Sequence, residues 1–242
     1  MNKPTYKELL DAGCHFGHQK RKWNPHMMPF IFAERKGIHL IDLNRTLDSL
    51  EVAGKAIKAI ARSGRKVLFV GTKKQSREIV AAAAQSVGMP YVTERWLGGM
   101  LTNFTTIKKS IKKMQGINKM LTDGTLESVT KKEKLLLSRK KDKLEKLFGG
   151  IEQLKNLPSA IFIVDISHEH IALDEADRLG MKTFGIVDTN SNPQSVNFPI
   201  PANDDASKSI AIITNYMVAC IKDGLAERAP KTDATKTEEV PA

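Results

Sequence analysis

Cysteine is nearly absent: Cys14 and Cys220 are the whole complement of a 242-residue chain. Two thiols so far apart exclude a disulfide-stapled scaffold and suit a reducing compartment. Long apolar runs are missing as well. The longest apolar-rich stretch, Ile210 to Ile221, is broken by Thr214 and Asn215. It falls short of the roughly 20 residues that span a bilayer. The opening MNKPTYKELLDAG has no apolar core of signal-peptide character. The expectation is a cytoplasmic protein with no membrane partner.

Catalytic and cofactor motifs are also wanting. Gly71-Thr72-Lys73-Lys74-Gln75-Ser76 follows an apolar run and precedes a helical pattern. It lacks the second glycine that lets a phosphate loop wrap its ligand with backbone N–H groups. The dinucleotide fingerprint G-x-G-x-x-G is absent, as are C-x-x-C and H-E-x-x-H; His168-Glu169-His170 does not substitute for the last. Histidines gather early, at His15, His18, His26 and His39, beside Cys14. His15 and His18 would share a face if helical, but nothing nearby completes a zinc site, and no triad can be assigned to Cys14. Asp42, Asp165 and Asp188 each close an expected strand. There aspartate serves as a helix cap or an acceptor for loop N–H groups more often than as a catalyst. No catalytic residue, resident metal, cofactor or small-molecule substrate is expected; the alternative reading is a flavodoxin-like enzyme or switch that binds a mononucleotide at the strand ends.

What the chain does have is positive charge. It carries a formal net charge of +11, with 41% hydrophobic and 27% charged residues. That composition suits a folded domain facing a polyanion. Residues 105–150 alone carry thirteen Lys/Arg against five Asp/Glu, whereas residues 151–225 carry five against ten. Such asymmetry implies a one-sided anionic contact, with the acidic last third turned toward protein partners or solvent.

The periodicity predicts an α/β fold: a doubly wound, mostly parallel sheet of about five strands with an inserted helical hairpin. Residues 1–29 read as a basic, mostly irregular extension after a short helix. Phe30–Ala33 and Ile38–Ile41 read as strands about a turn at Gly37, and Asn44 as the cap of the helix that follows. Lys66–Gly71, Tyr91-Val92, Ala160–Asp165 and Thr183–Asp188 read as further strands, with helices near 75–87, 169–179 and 204–223. The stretch from Thr189 to Asn203, with three prolines, reads as irregular. The α/β domain is thus expected over 30–102 and 155–225, and a disordered tail over 226–242. The insertion, 103–154, is a coiled-coil-like hairpin. Ile107, Ile111, Met114, Asn118 and Leu121 form one seam, Leu137, Leu144, Leu147, Ile151 and Leu154 the other, and Thr122-Asp123-Gly124 the turn.

Two segments combine cations with an indole. Lys20-Arg21-Lys22-Trp23-Asn24-Pro25 is one, and Arg95-Trp96-Leu97-Gly98-Gly99 the other. Guanidinium and indole planes stack on unpaired bases, although Trp96 has an alternative place in the core.

Together these residues resemble a known family. Leu9-Leu10-Asp11-Ala12-Gly13-Cys14-His15-Phe16-Gly17-His18 is similar to the N-terminal signature of the bacterial small-subunit ribosomal protein S2 family. Trp23-Asn24-Pro25, Ile41-Asp42-Leu43, Phe69–Lys73, Arg95–Asn103, Pro158–Asp165 with Glu175-Ala176, Val187–Asn190 and Ile200–Ala206 match its pattern in order. The resemblance covers residues 4 to about 225. It implies a flavodoxin-like domain bearing a coiled-coil hairpin, a structural role without catalysis or cofactor, and binding to 16S ribosomal RNA near the junction of head and body. It also implies neighbouring small-subunit proteins, among them the large mRNA-binding protein. The expected RNA contacts are Lys20, Arg21, Lys22, Trp23, Asn24, Lys73, Lys74, Arg95, Trp96, Lys108, Lys109, Lys112, Lys113, Arg139 and Lys140.

Overall fold

The structure, a computed structural model, describes residues 3–123 and 130–228. Five parallel strands form its centre: β4 (Val67–Val70), β5 (Tyr91–Val92), β6 (Ala160–Val164), β7 (Lys182–Val187) and β8 (Phe198–Pro201), ordered β5-β4-β6-β7-β8. That is the 2-1-3-4-5 order of flavodoxin-like folds. Both sheet faces are covered, so the central strands β4 and β6 are apolar and buried at every position. Val67 and Phe69 pack with Phe162 and Phe184 on one face, under α2 (Leu43–Arg62), α3 (Arg77–Gln85) and α7 (Ser207–Glu227). Leu68 and Val70 pack with Ile161 and Ile163 on the other, under α6 (His170–Arg178) and the root of the hairpin helices α4 (Phe104–Thr122) and α5 (Lys131–Phe148). The length and hydropathy of α7 would let it cross a membrane. Its apolar side is instead spent on the core, where Ile210, Ile213, Met217 and Ile221 are fully buried.

Three expectations are corrected. Asp42, not Asn44, caps α2: its carboxylate accepts the Asn44 N–H at 2.9 Å. Asn44 therefore lies inside the helix. The proline-rich stretch after Thr189 contains β8, the sheet edge. The Ala202 N–H donates to Val187 O, so alternation turns the nitrogens of Pro199 and Pro201 away from β7. An edge strand tolerates proline there. The early basic segment is not a loose extension either. After α1 (Tyr6–Asp11), Phe16–Gln19 forms β1, which pairs antiparallel with β3 (Ile38–Ile41). The β3 strand also pairs with β2 (Ile31–Arg35) across a two-residue turn, Lys36-Gly37, at φ 52° and 75°. Leu9 and Cys14 are fully buried in the main core.

The hairpin follows the periodic pattern with one shift. Ile107, Ile111, Met114 and Ile117 are buried, and Asn118 is exposed. Gly124 of the expected turn, and the tail beyond residue 228, lie outside the described residues. Helix α7 continues to Glu227, two residues into the expected tail.

Candidate nucleic-acid interface

The hairpin presents a lysine-rich surface because its apolar residues occupy a single stripe. Lys109, Lys112 and Lys113 stand at i, i+3 and i+4 spacing and share one exposed face of α4. Arg139 and Lys140 are exposed on α5. None of these five forms an ion pair with another described residue. Their charges are therefore not neutralised within the described fold. Lys108 differs: its ammonium lies 4.9 Å above the Phe104 ring, a cation–π contact at the hairpin root.

The Arg95–Asn103 loop is built around one carboxylate. Glu175, on the inner face of α6 and 5% exposed, accepts the Trp96 indole N–H at 3.1 Å, Gly99 N–H at 2.7 Å, Leu101 N–H at 2.9 Å and Thr102 N–H at 3.0 Å. The Thr102 hydroxyl donates a fifth bond at 3.0 Å. Burial raises the Glu175 pKa, but the bonds from Thr102, Leu101, Gly99 and Trp96 outweigh it and hold the carboxyl below its ordinary range. Gly99 needs its lack of Cβ for φ 88°. Trp96 is consequently buried at 7% exposure, with its polar edge satisfied. The expected stacking face is corrected to a core position. Arg95 is exposed beside it.

Lys22, Arg21 and Lys20 form an exposed single 3-10 turn after β1. Lys20 is held by Glu34 at 2.7 Å, an exposed pair. Trp23 is half-buried and tilts against the His39 ring at 5.3 Å. Asn24 fixes the segment to the sheet: its N–H donates to Thr189 O at 2.7 Å, and its side chain accepts the His26 N–H.

The strand ends, where a flavodoxin-like fold places its ligand, hold carboxylates. Lys73 bonds Asp204 Oδ1 at 2.8 Å and Asp165 Oδ2 at 3.2 Å, and pairs with Asp205. These partners overcome the cost of burial and raise its pKa. The Thr72 N–H, which a phosphate would need, donates to Glu169 at 2.8 Å. An anion would meet occupied donors and negative charge. Lys73 is therefore corrected from a phosphate contact to an internal counter-ion, while neighbouring Lys74 is exposed.

Comparison with known proteins bears on this geometry. A family profile described as Ribosomal protein S2 matches residues 9–224. The small ribosomal subunit protein uS2 of Cytophaga hutchinsonii is 60% identical over 98% of this chain and 93% of its own length. The proteins of the same name from Parabacteroides distasonis and Flavobacterium johnsoniae are 54% and 52% identical. They align over 100% of this chain and over 87% and 95% of their own lengths. The chain belongs to the ribosomal protein S2 family. The S2 profile takes in every residue named above as an expected RNA contact, from Lys20 to Lys140.

Two structural devices of this S2-family chain escape sequence reasoning. Glu175 appears in the sequence as part of a signature, and its position among Ala172, Leu173 and Ala176 on a buried helix face is the signal that it serves an internal purpose. Asp165 carries the other. It sits at φ 63°, with Oδ1 accepting the Ser167 and His168 N–H groups at 3.1 and 3.0 Å. With Asp42 as a cap and Asp188 bonded to the Thr189 N–H, all three strand-end aspartates are engaged as caps or loop acceptors.

Proposed function

We propose that this protein is a structural, non-catalytic constituent of the small ribosomal subunit in the cytoplasm, and that it binds 16S ribosomal RNA through its basic hairpin. The observation that carries this reading is the cationic face of the hairpin, Lys109, Lys112, Lys113, Arg139 and Lys140, which has no ion-pair partner among the described residues and belongs to a domain whose ligand crevice is filled by carboxylates. Cations without ion-pair partners among the described residues are available to phosphates, and phosphate contacts position a protein without requiring base readout. Arg21, Lys22, Lys74 and Arg95 extend the basic surface on the body, and Trp23 beside them is only half-buried. Membership of a family whose relatives are named as small-subunit proteins supports the same reading. The position at the head–body junction, and contact with neighbouring ribosomal proteins including the large mRNA-binding one, are the finer parts of the proposal.

Sedimentation of a cell lysate through a sucrose gradient tests it, with the protein expected in the small-subunit fractions. A variant with Lys109, Lys112 and Lys113 changed to Glu should fold and yet be depleted from those fractions. Its normal incorporation would remove the hairpin from the RNA interface. Absence of the wild-type chain from the subunits would end the proposal.

A further inference from the structure

A solvent-open recess of about 640 Å³ lies on the α/β body where β4 and β6 begin, away from the carboxylate cluster at the other ends of the strands. Its walls are the C-terminal ends of α2 and α3, the start of β5, and the 3-10 turn Gly149–Ile151 that follows α5. The recess therefore opens at the root of the hairpin. Tyr91 is fixed in its wall: the phenol oxygen accepts a bond from Gln85 Nε2 at 2.7 Å, and a Cβ on Gly150 would come within 2.8 Å of the ring. Gly64 and Gly88, at φ 77° and 61°, turn the chain just past α2 and α3 and leave the space between them clear of side chains.

Positive charge gathers around this recess. Arg65, Lys66 and Lys155 line it, are exposed, and form no ion pair among the described residues. Lys66 Nζ donates to Gly88 O at 2.8 Å, which holds its charge at the wall without cancelling it. Arg228 adds a fourth cation. Its guanidinium lies against Gly64, 2.7 Å from where a Cβ would stand, and Glu227 beside it is taken by Lys58. Glu152 is the one carboxylate among the described residues lining the recess, and Gln115 Nε2 bonds it at 3.1 Å. Four cations against one carboxylate attract an anion. None of the four belongs to the exposed face of the hairpin.

We propose that this recess holds one unpaired nucleotide of the bound RNA, with its base beside Tyr91 and its phosphates at Arg65 and Lys155. The inference rests on the reading that the chain binds small-subunit RNA. It adds a nucleotide-holding site on the body to the phosphate contacts of the hairpin. A phosphate on a duplex meets exposed lysines and needs no recess. A splayed-out nucleotide brings a flat base, hydrogen-bonding edges and a charge, and unpaired RNA is held through all three. The recess answers each of them. The Tyr91 ring and the 43% exposed Leu157 offer apolar surface, the Gln153 and Asn156 amides offer donors and acceptors, and the cations offer charge. Its volume falls within the roughly 300–1,000 Å³ of sites that enclose small ligands. An acidic peptide would use the cations but not the fixed ring.

The test measures binding of the full chain to small-subunit RNA across a salt series. Arg65→Gln/Lys155→Gln changes two exposed side chains and should fold normally. It should make the salt slope shallower by about 1.4–1.8, at about 0.7–0.9 per phosphate. Tyr91→Leu removes the ring but no charge. It should weaken binding about 5-fold or more, as loss of one stacked base does, and leave the slope unchanged. Short-wave ultraviolet irradiation of purified small subunits should cross-link RNA to the peptide that contains Tyr91, which reports on the recess without any substitution. Free AMP and UMP should compete weakly, because they lack the neighbouring phosphates held outside the recess. Wild-type RNA affinity in both variants, with cross-links confined to the hairpin, would overturn this inference and leave the hairpin reading intact. So would tight binding of free AMP, or of a polyglutamate peptide, that Arg65→Gln/Lys155→Gln abolishes while RNA affinity holds. A wild-type chain that binds no small-subunit RNA would end both readings.

Discussion

Glu175 shows how much one buried side chain can organise. Its five hydrogen bonds gather the Trp96 indole and the backbone from Gly99 to Thr102. Glu175→Gln swaps one acceptor oxygen for an NH2 group that must face N–H donors. Stranding buried donors costs about 2–3 kcal/mol, which lowers Tm by roughly 5–10 °C in a domain of this size. Thr102→Val, which removes a single side-chain bond, should cost about 1 kcal/mol. Urea unfolding of the three proteins measures both. The charge also makes the loop acid-sensitive. Because the folded pKa of Glu175 lies below its unfolded value, its stabilisation is complete above about pH 4.3 and is lost as pH falls through the folded value. The stability gap between wild type and Glu175→Gln should therefore narrow as pH falls from 6 toward 3. A constant gap would mean that the carboxylate charge contributes nothing.

At the scale of elements, legibility followed chemistry. The hairpin helices were readable because apolar residues recur at helical spacing. The register error between Asn118 and Ile117 arose where three apolar-compatible positions crowd together at the helix end. Strand β1, Phe-Gly-His-Gln, was unreadable: it has no alternation, and its pairing with β3 comes from contacts distant in sequence. Strand β8 was hidden by two prolines whose nitrogens face away from the partner strand. The hairpin root depends on a glycine that sequence alone does not explain. A Cβ on Gly150 would collide with the Tyr91 carbonyl oxygen and approach the Tyr91 ring at 2.8 Å. That backbone cannot retreat freely, because the flanking Pro90 O and Val92 O accept the Phe69 and Gly71 N–H groups at 2.9 and 3.0 Å. Gly150→Ala should destabilise by about 1–3 kcal/mol. Amide exchange should quicken in β5 and at the hairpin root, and less in β6 and β7. Gly116→Ala, on α4 with no atom within 4 Å of the added Cβ, should instead stabilise by about 0.5–1 kcal/mol. Equal effects at the two glycines would remove the steric argument.

Over the whole molecule, the charge asymmetry reads differently once it is folded. Of the ten carboxylates in residues 151–225, Asp165, Glu169, Glu175, Asp188 and Asp204 are buried. Much of the acidity that suggested an outward protein-binding face is internal wiring, bonding loops and Lys73. The exposed surface is correspondingly more basic than the composition implies. The cations sort likewise: Lys73 is internal, Lys20 is paired and Lys108 lies over an aromatic ring. That leaves Arg21, Lys22, Lys74, Arg95, Lys109, Lys112, Lys113, Arg139 and Lys140 exposed without an ion pair among the described residues. If all meet phosphates, the logarithm of RNA affinity should fall with the logarithm of salt at a slope of about −6 to −8. Changing Lys109, Lys112 and Lys113 to Glu should make that slope shallower by about 2–3, at about 0.7–0.9 per contact. Lys73→Gln should leave the slope alone while lowering stability, because it strips the counter-ion from Asp165, Asp204 and Asp205. Filter binding to small-subunit RNA between low and moderate salt separates the two classes. A slope that drops by one with Lys73→Gln and holds with the hairpin variant would reverse the assignment, making the strand ends the RNA contact and the hairpin a solvated spur.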